Sequence, residues 1–221
     1  YMSAGGLVLL RTVGKISAYS VCAREAARLG AVASAAHNLC FQLGVATTQI
    51  CESLAIAMQT LLARELGRGN ALDDGSASGL KTRAPLVRHI VKRGLTVGLL
   101  TASSLASLTL VNRRGVICGL TTNPEVRAAA VSVLPFVLLC QALKGLAYPV
   151  NGALMGALDW SASAVAMWAA QLGCLLTVLL FSRGGTRVLS LNDLWTSLAV
   201  LFTMQIVVGL ARMFSGRGPW A

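Results

Sequence analysis

The sequence predicts an all-α membrane protein with six transmembrane helices. Of its 221 residues, 55% are hydrophobic and only 12% are charged, with a mean hydropathy of +0.69, whereas soluble domains carry about 25% charged residues. Six stretches are apolar for about the 20 residues that a bilayer core requires. The basic residues behind the net charge of +11 lie mostly between these stretches, as in juxtamembrane loops. The positive charge therefore indicates a lipid bilayer, and no nucleic acid, as the partner.

The predicted spans differ in length and in how many charged residues or prolines interrupt them. Arg11 and Lys15 interrupt the first span. The second and fourth spans are longer than a bilayer requires, so we expect them to tilt, kink or project beyond it. The fourth contains Pro135 and Pro149. Small residues are frequent in most spans, which suits close helix packing in lipid. The six spans are residues 5–28, 31–65, 94–111, 127–158, 161–182 and 194–214.

The longest connection, residues 67–93, has two parts. Its first part is rich in Gly, Asp and Ser and predicts a flexible loop. In its second part Leu86, Val87 and Ile90 recur at helical spacing among basic residues. This pattern predicts a short amphipathic helix at the membrane surface over residues 80–93.

The chain carries few residues arranged for catalysis. None of its six cysteines forms a CxxC pair and most fall inside apolar stretches, which is typical of small buried side chains. The sequence contains no Gly-rich phosphate loop, no metal-ligand cluster and no convincing nucleophile and base. We therefore predict no catalytic residue, no bound cofactor, no metal site, and a protein that is not an enzyme.

Residues 140–160 place polar groups inside an apolar span. The segment reads CQALKGLAYPVNGALMGALDW, and it is long enough to cross a bilayer. A charge at the bilayer centre costs about 2.5–3.5 kcal/mol on insertion scales. Helix breakers and polar groups at that depth are usually buried in protein or line a watery cavity. The segment is therefore predicted to line a pathway.

Four segments, in their order and spacing, resemble the multidrug and toxic compound extrusion (MATE) family. They are AREAARLGAVASAAHNLCFQLG, ESLAIAMQTLLARELGRGN, QALKGLAYPVNGALMGALDW and GLARMFSGRGPW. The first two resemble the family's seventh and eighth helices, the third its tenth helix, and the fourth its C-terminal end. The similarity is greatest to the DNA-damage-inducible protein F-like branch, which includes plant and algal plastid members.

The resemblance implies a fold and a function. Family members have twelve helices in two six-helix lobes that form an inverted V, and this chain resembles the C-terminal lobe alone. The implied activity is secondary antiport, in which an organic or xenobiotic compound is exported in exchange for protons or sodium by alternating access. The implied partners are a small organic substrate, cationic or amphipathic, and the missing N-terminal lobe. The implied location is multi-pass in a membrane, either the plastid envelope or the plasma or vacuolar membrane.

Charged residues within the spans are the first pathway candidates. Glu52 is an intramembrane carboxylate, which is either a proton carrier or cation ligand or an acid paired for packing. By resemblance, Lys15 and Lys144 occupy positions where many sodium-coupled relatives carry an acid. A protonated lysine has no acceptor for Na⁺, and in the resembled branch the coupling acid lies in the first lobe, so the coupling ion is predicted to be H⁺ rather than Na⁺. The alternative is that the lysines extend to the interface or pair with Glu52.

Neutral polar residues are the remaining candidates. Asn151 stands where the plant-like pattern usually has Asp, so the position has no titratable group. Its amide is expected to bind substrate or to repair the backbone that Pro149 disrupts. Four further side chains either line the cavity or bond to neighbouring helices, namely Gln42, Gln59, Gln141 and Tyr148.

A second function class stays open at this point. The chain starts at Tyr1 and carries lysines where relatives carry acids. A truncated or degenerate membrane protein without transport activity, which acts as a partner or has no function, would show the same features. The upstream reading frame distinguishes the two, because a transporter would have six more spans there.

Overall fold

A computed structural model describes residues 2–72, 78–183, 189–216 and 218–220. All regular structure in these residues is helical, as predicted, and six of the helices are long and apolar enough to cross a membrane. The elements are α1 (Met2–Arg28), α2 (Ala31–Leu72), α3 (Ser78–Val111), α4 (Arg113–Leu120), α5 (Pro124–Gly156), α6 (Trp160–Arg183), α7 (Leu191–Phe214) and a short 3₁₀ turn (Gly218–Trp220).

Helix α5 lies at the centre of the bundle. It packs against α2, α3 and α7, while α6 packs against α1 and α7. The core between α5 and α7 is formed by side chains such as Leu134, Val137 and Leu198, all buried. Large apolar side chains such as Leu100 and Leu180 are exposed on the outside. A soluble protein rarely exposes so much contiguous apolar surface, and here it suits a lipid environment.

Local signals set the helix boundaries. The Asn123 side chain accepts hydrogen bonds from the first backbone N–H groups of α5, and Pro124 occupies the first helical position. Ser190 and Asp193 form a reciprocal capping box at the start of α7. Gly30 adopts a φ of +107° between α1 and α2, a conformation that costs glycine little and lets the chain reverse.

Helix α3 differs from the prediction. A separate amphipathic helix over residues 80–93 was expected before a span at 94–111, but α3 continues through both without a break, with Pro85 inside it. The described side chains of α3 begin at Pro85. Among them, Val87 is buried in a small core with Met58 of α2. Val87 is therefore covered by protein, whereas Leu86 beside it is 44% exposed, so the apolar face of this segment is buried only in part. Helix α4 was also not predicted.

Close backbone contacts hold α5 against its neighbours. A Cβ added to Gly152 would clash with the backbone carbonyl of Ala55 on α2. The carbonyl of Gly145 lies against Gly98 of α3. This carbonyl has no helical N–H partner four residues on, because Pro149 occupies that position. Only glycine at these crossings allows the helices to approach so closely.

Candidate functional site

One side of α5 carries the polar groups that the sequence placed within a span. Gln141, Lys144, Tyr148 and Asn151 follow one another at intervals of three, four and three residues, so they share one face of the helix. We call these four residues the polar ladder. Gln141 and Lys144 are buried at 5% and 6% exposure, and the other two are partly buried. The ladder thus faces the interior of the bundle.

The first half of the ladder bonds to α2. The hydroxyl of Thr47 donates to Oε1 of Gln141 over 2.7 Å. The ammonium of Lys144 donates to the hydroxyl of Thr48 over 3.0 Å, and that hydroxyl donates in turn to the carbonyl of Gly44. The Nε2 of Gln141 has no hydrogen-bond partner among the described residues. The buried polar groups therefore retain some unused hydrogen-bonding capacity.

Lys144 also contacts an aromatic ring. Its Nζ lies 5.3 Å from the ring centroid of Phe202 on α7, within the range of a cation–π interaction. Together with the bond to Thr48, this contact compensates in part for burying an ammonium group. Lys144 is consequently held between α2 and α7 inside the bundle.

The second half of the ladder meets α1 and α6. The Nζ of Lys15 lies 5.2 Å from the ring centroid of Tyr148. The Oδ1 of Asn151 accepts two hydrogen bonds, from Nε of Arg11 over 2.8 Å and from the hydroxyl of Ser163 over 2.9 Å. Asn151 therefore links three helices through side chains, and neither of these bonds goes to the backbone that Pro149 disrupts.

A recess opens beside the second half of the ladder. Its enclosed space is only about 10 Å³, roughly what one water needs, and the space that includes the open mouth is about 270 Å³. Helices α1, α5, α6 and α7 all contribute to it. The lining residues are Arg11, Lys15, Tyr19, Tyr148, Asn151, Met167, Leu201, Phe202 and Gln205. Three of the predicted pathway residues thus line one cavity, and two cationic side chains are among its walls.

Glu52 lies on α2 one helical turn beyond Thr48 and is partly buried. The predicted pair with Lys144 is not formed, since no salt bridge joins Glu52 to any described residue and Lys144 bonds to Thr48 instead. The Glu52 carboxylate does attract Arg11 and Lys15 electrostatically. The structure therefore relates this acid to α1 rather than to the ladder lysine.

The two remaining predicted candidates lie elsewhere on α2. Gln42 is exposed, and Gln59 is partly buried where its backbone meets Gly156 of α5. Neither lines the recess. Their position on the outer or crossing faces of α2 suits lipid or helix contact more than a pathway.

Several recess residues were not recognised in the sequence. Arg11 was taken as an interruption of the first span, although it stands four residues before Lys15 and so shares its helix face. That spacing was the available signal. Tyr19 and Gln205, which also line the recess, and Ser163, which bonds to Asn151, carried no comparable signal, because a single polar residue in an apolar helix does not reveal which neighbour it faces.

A separate polar cluster lies just beyond the C-terminal end of α5. Asp159 is buried, and its Oδ2 accepts from Nε of Arg212 over 2.7 Å and from Nε1 of Trp220 over 3.2 Å. The turn before it places Leu158 at a φ of +58°, which is strained for a side-chain-bearing residue. The cluster joins Arg212 and Trp220 to the turn between α5 and α6. We interpret its role as structural. Within the described residues no group of His, Cys, Asp and Glu is arranged to hold a metal.

Known proteins share this sequence pattern. The MatE family profile matches residues 16–179. Two chloroplastic relatives from Arabidopsis thaliana, DETOXIFICATION 44 and DETOXIFICATION 45, are each 26% identical over 220 residues, which is all of this chain but 39% and 36% of theirs. DETOXIFICATION 42 of the same plant is 25% identical over 222 residues, 40% of its length. The chain thus spans about two fifths of the length of these curated relatives, and with its six apolar helices it is an integral, multi-pass membrane protein.

Proposed function

The chain belongs to the MatE family, whose members are transporters rather than enzymes, and we propose that it is the C-terminal lobe of a secondary antiporter for organic compounds. The observation that carries the proposal is the polar ladder and the recess beside it. Buried polar groups inside an apolar bundle cost free energy, and in membrane proteins they usually mark a substrate or ion route. The compound would cross by alternating access in a cavity shared with a second lobe.

We infer proton coupling rather than sodium coupling from the charges near the recess. Arg11 and Lys15 line it, and their side chains have only donors and no oxygen to offer a cation. A sodium ion would need several oxygen ligands, whereas a proton needs one titratable group. Glu52 attracts both cations and is our candidate for that group. A coupling acid in the other lobe would carry protons together with Glu52.

The membrane is proposed from the relatives. Two of them carry the word chloroplastic in their names. We infer a plastid envelope location for this chain, with the plasma or vacuolar membrane as the alternative. A fluorescent fusion compared with envelope and vacuolar markers would distinguish these membranes.

Transport is tested with the natural protein at its full length in proteoliposomes. A lumen made acidic should drive accumulation of at least one member of a panel of charged and neutral fluorescent dyes. Collapse of the pH gradient should abolish accumulation, and a sodium gradient of equal size should not replace it. Sodium-driven uptake would overturn the proton coupling. No accumulation above protein-free liposomes under either gradient would favour the rival, a membrane partner without transport activity.

The role of Glu52 is tested in the same vesicles. Glu52→Gln should remove uptake driven by the pH gradient but retain exchange of labelled for unlabelled dye, because exchange needs no net proton movement. Glu25→Gln is the matched control, since Glu25 is a carboxylate that bonds to Arg28 at the end of α1. Equal losses in both variants would contradict a specific role for Glu52.

A further inference from the structure

We propose that Asp159, Arg212 and Trp220, beyond their structural role, form a clasp whose opening loosens one wall of the recess. The Oδ2 of Asp159 accepts hydrogen bonds from Arg212 over 2.7 Å and from Trp220 over 3.2 Å. Trp220 also packs against the small core that contains Met58 and Val87. The closed clasp therefore joins the last turn of α7 to the α5–α6 turn and brings the 3₁₀ turn against α2 and α3.

The turn that presents Asp159 is strained. Helix α5 ends at Gly156, and Leu158 then adopts a φ of +58°. The backbone N–H of Asp159 bonds to the carbonyl of Leu154 over 2.9 Å, which is the bond of a Schellman motif. Glycine is usual at the left-handed position of that motif, because a Cβ there crowds the following carbonyl. Leu158 is 65% exposed, so its packing offsets little of the strain, and the bonds to the Asp159 carboxylate help to hold the turn.

The partners of Asp159 are less buried than Asp159 itself. The side chain of Arg212 is 31% exposed, whereas that of Asp159 is 5% exposed, and Trp220 is partly buried. Gly216 lies between the two partners with a φ of +60°, a conformation that glycine enters and leaves at little cost. Rotation at Gly216 can therefore withdraw Trp220 from the carboxylate while α7 stays in place.

Hydrogen bonds connect the clasp to the recess. The backbone carbonyl of Asp159 accepts from the N–H of Ser163, in the first turn of α6, over 3.0 Å. The Ser163 hydroxyl donates to Oδ1 of Asn151, which also accepts from Nε of Arg11. Arg11 and Asn151 both line the recess. Movement of Asp159 therefore displaces Ser163, and the bonds that hold Asn151 and Arg11 together are weakened.

Two opposing effects set the balance between the closed and the open clasp. Closing forms two hydrogen bonds to a carboxylate, and bonds to a charged group are stronger than neutral ones. Opening relieves the left-handed backbone of Leu158. Because the two effects oppose each other, a small change in either one shifts the population of open molecules.

The rate of arginine modification measures this opening. The natural full-length protein in nanodiscs is treated with phenylglyoxal, a small neutral reagent for free guanidinium groups, and the modified peptides are quantified by mass spectrometry. A group protected by a local contact reacts in proportion to its open population. Arg212 reports on the clasp and Arg11 on the recess, while Arg28, which is exposed at the other end of α1, is the internal reference.

Two substitutions should act in opposite directions. Asp159→Asn keeps the size of the side chain but removes its charge, so it should raise the modification rate of Arg212 about tenfold and raise that of Arg11 as well. Leu158→Gly removes the strain of the left-handed residue, so it should lower the rate at Arg212 about fivefold and lower that at Arg11. Leu158→Ala is the matched control, because alanine keeps the Cβ and its strain, and both rates should stay at the level of the parent.

The outcomes separate the steps of the proposal. A change at Arg212 without a change at Arg11 would refute the link between the clasp and the recess. Equal rates in Leu158→Gly and Leu158→Ala would refute opening that is driven by the strained turn. Misfolding exposes arginines and cannot slow their modification, so Leu158→Gly tests the proposal even if Asp159→Asn does not fold. The assay needs no gradient and no substrate, so its result does not depend on the proposed transport.

Discussion

Replacing Gly152 by alanine should destabilise the bundle, although alanine is the better helix former. A Cβ at this position would clash with the carbonyl oxygen of Ala55 and come within 3.0 Å of its Cα. Both atoms belong to the α2 backbone, so no side-chain rotation can relieve the contact. The two helices must move apart instead.

The magnitude follows from two opposing effects. Alanine gains about 1 kcal/mol of helix propensity over glycine. Overpacking of a well-packed site costs about 1–3 kcal/mol, and a separation of about 0.5–1 Å forfeits a quarter to a half of each dispersion contact across the gap. Because the α2–α5 contact is extensive, we expect the upper end of that cost and a net loss of about 2 kcal/mol.

The assay is unfolding of the full-length protein in mixed micelles with increasing SDS, followed by tryptophan fluorescence. Gly152→Ala should unfold at a lower SDS fraction than the parent. Gly5→Ala is the matched control, because Gly5 lies in α1 with nothing within 4 Å of the added Cβ, and it should be neutral or slightly stabilising. If Gly152→Ala were as stable as Gly5→Ala, the close crossing of α2 and α5 would be refuted.

Two further predictions concern side-chain pairs. Lys144→Met and Glu52→Gln should destabilise the protein additively, within about 0.5 kcal/mol. Lys144→Met and Thr48→Val should instead be coupled in their effects on stability, because Lys144 bonds to Thr48. Coupling of Lys144 to Glu52 alone, measured by SDS unfolding, would contradict this geometry. Cys22 and Cys174 lie with their Sγ atoms 4.0 Å apart, so copper phenanthroline should join α1 to α6 in a disulfide that peptide mass spectrometry detects and that Cys22→Ala removes. Crosslinks that instead pair Cys22 with another cysteine would argue against this packing.

The helical class of the protein was predictable from local information. A low charged fraction and six long apolar stretches follow from the cost of exposing backbone and charge to lipid. The polar ladder was also visible, because Gln141, Lys144 and Tyr148 recur with helical spacing inside a span. The spacing of polar residues along one helix is enough to predict a polar face. This prediction does not require knowing which helices pack against it.

The partners of that face were not predictable. Pairing Lys144 with Glu52 was reasonable from depth alone, since both lie near the middle of long spans. The structure instead sets Lys144 beside Thr48 and brings Glu52 near Arg11 and Lys15. Residues one turn apart on α2 are about 5.4 Å apart along the helix axis, so a small change in the rotation or register of α2 against α5 decides which of them the lysine meets.

The class, the number of spans and the existence of a polar face could thus be predicted, because they depend on composition and on periods within a single helix. Only the tertiary structure decided that Arg11 and Lys15 share a recess with Tyr148 and Asn151, and that α3 continues across its proline. Both outcomes depend on how helices far apart in the chain pack together. That packing is set by close backbone crossings such as Gly152 on Ala55, whose geometry no local pattern encodes.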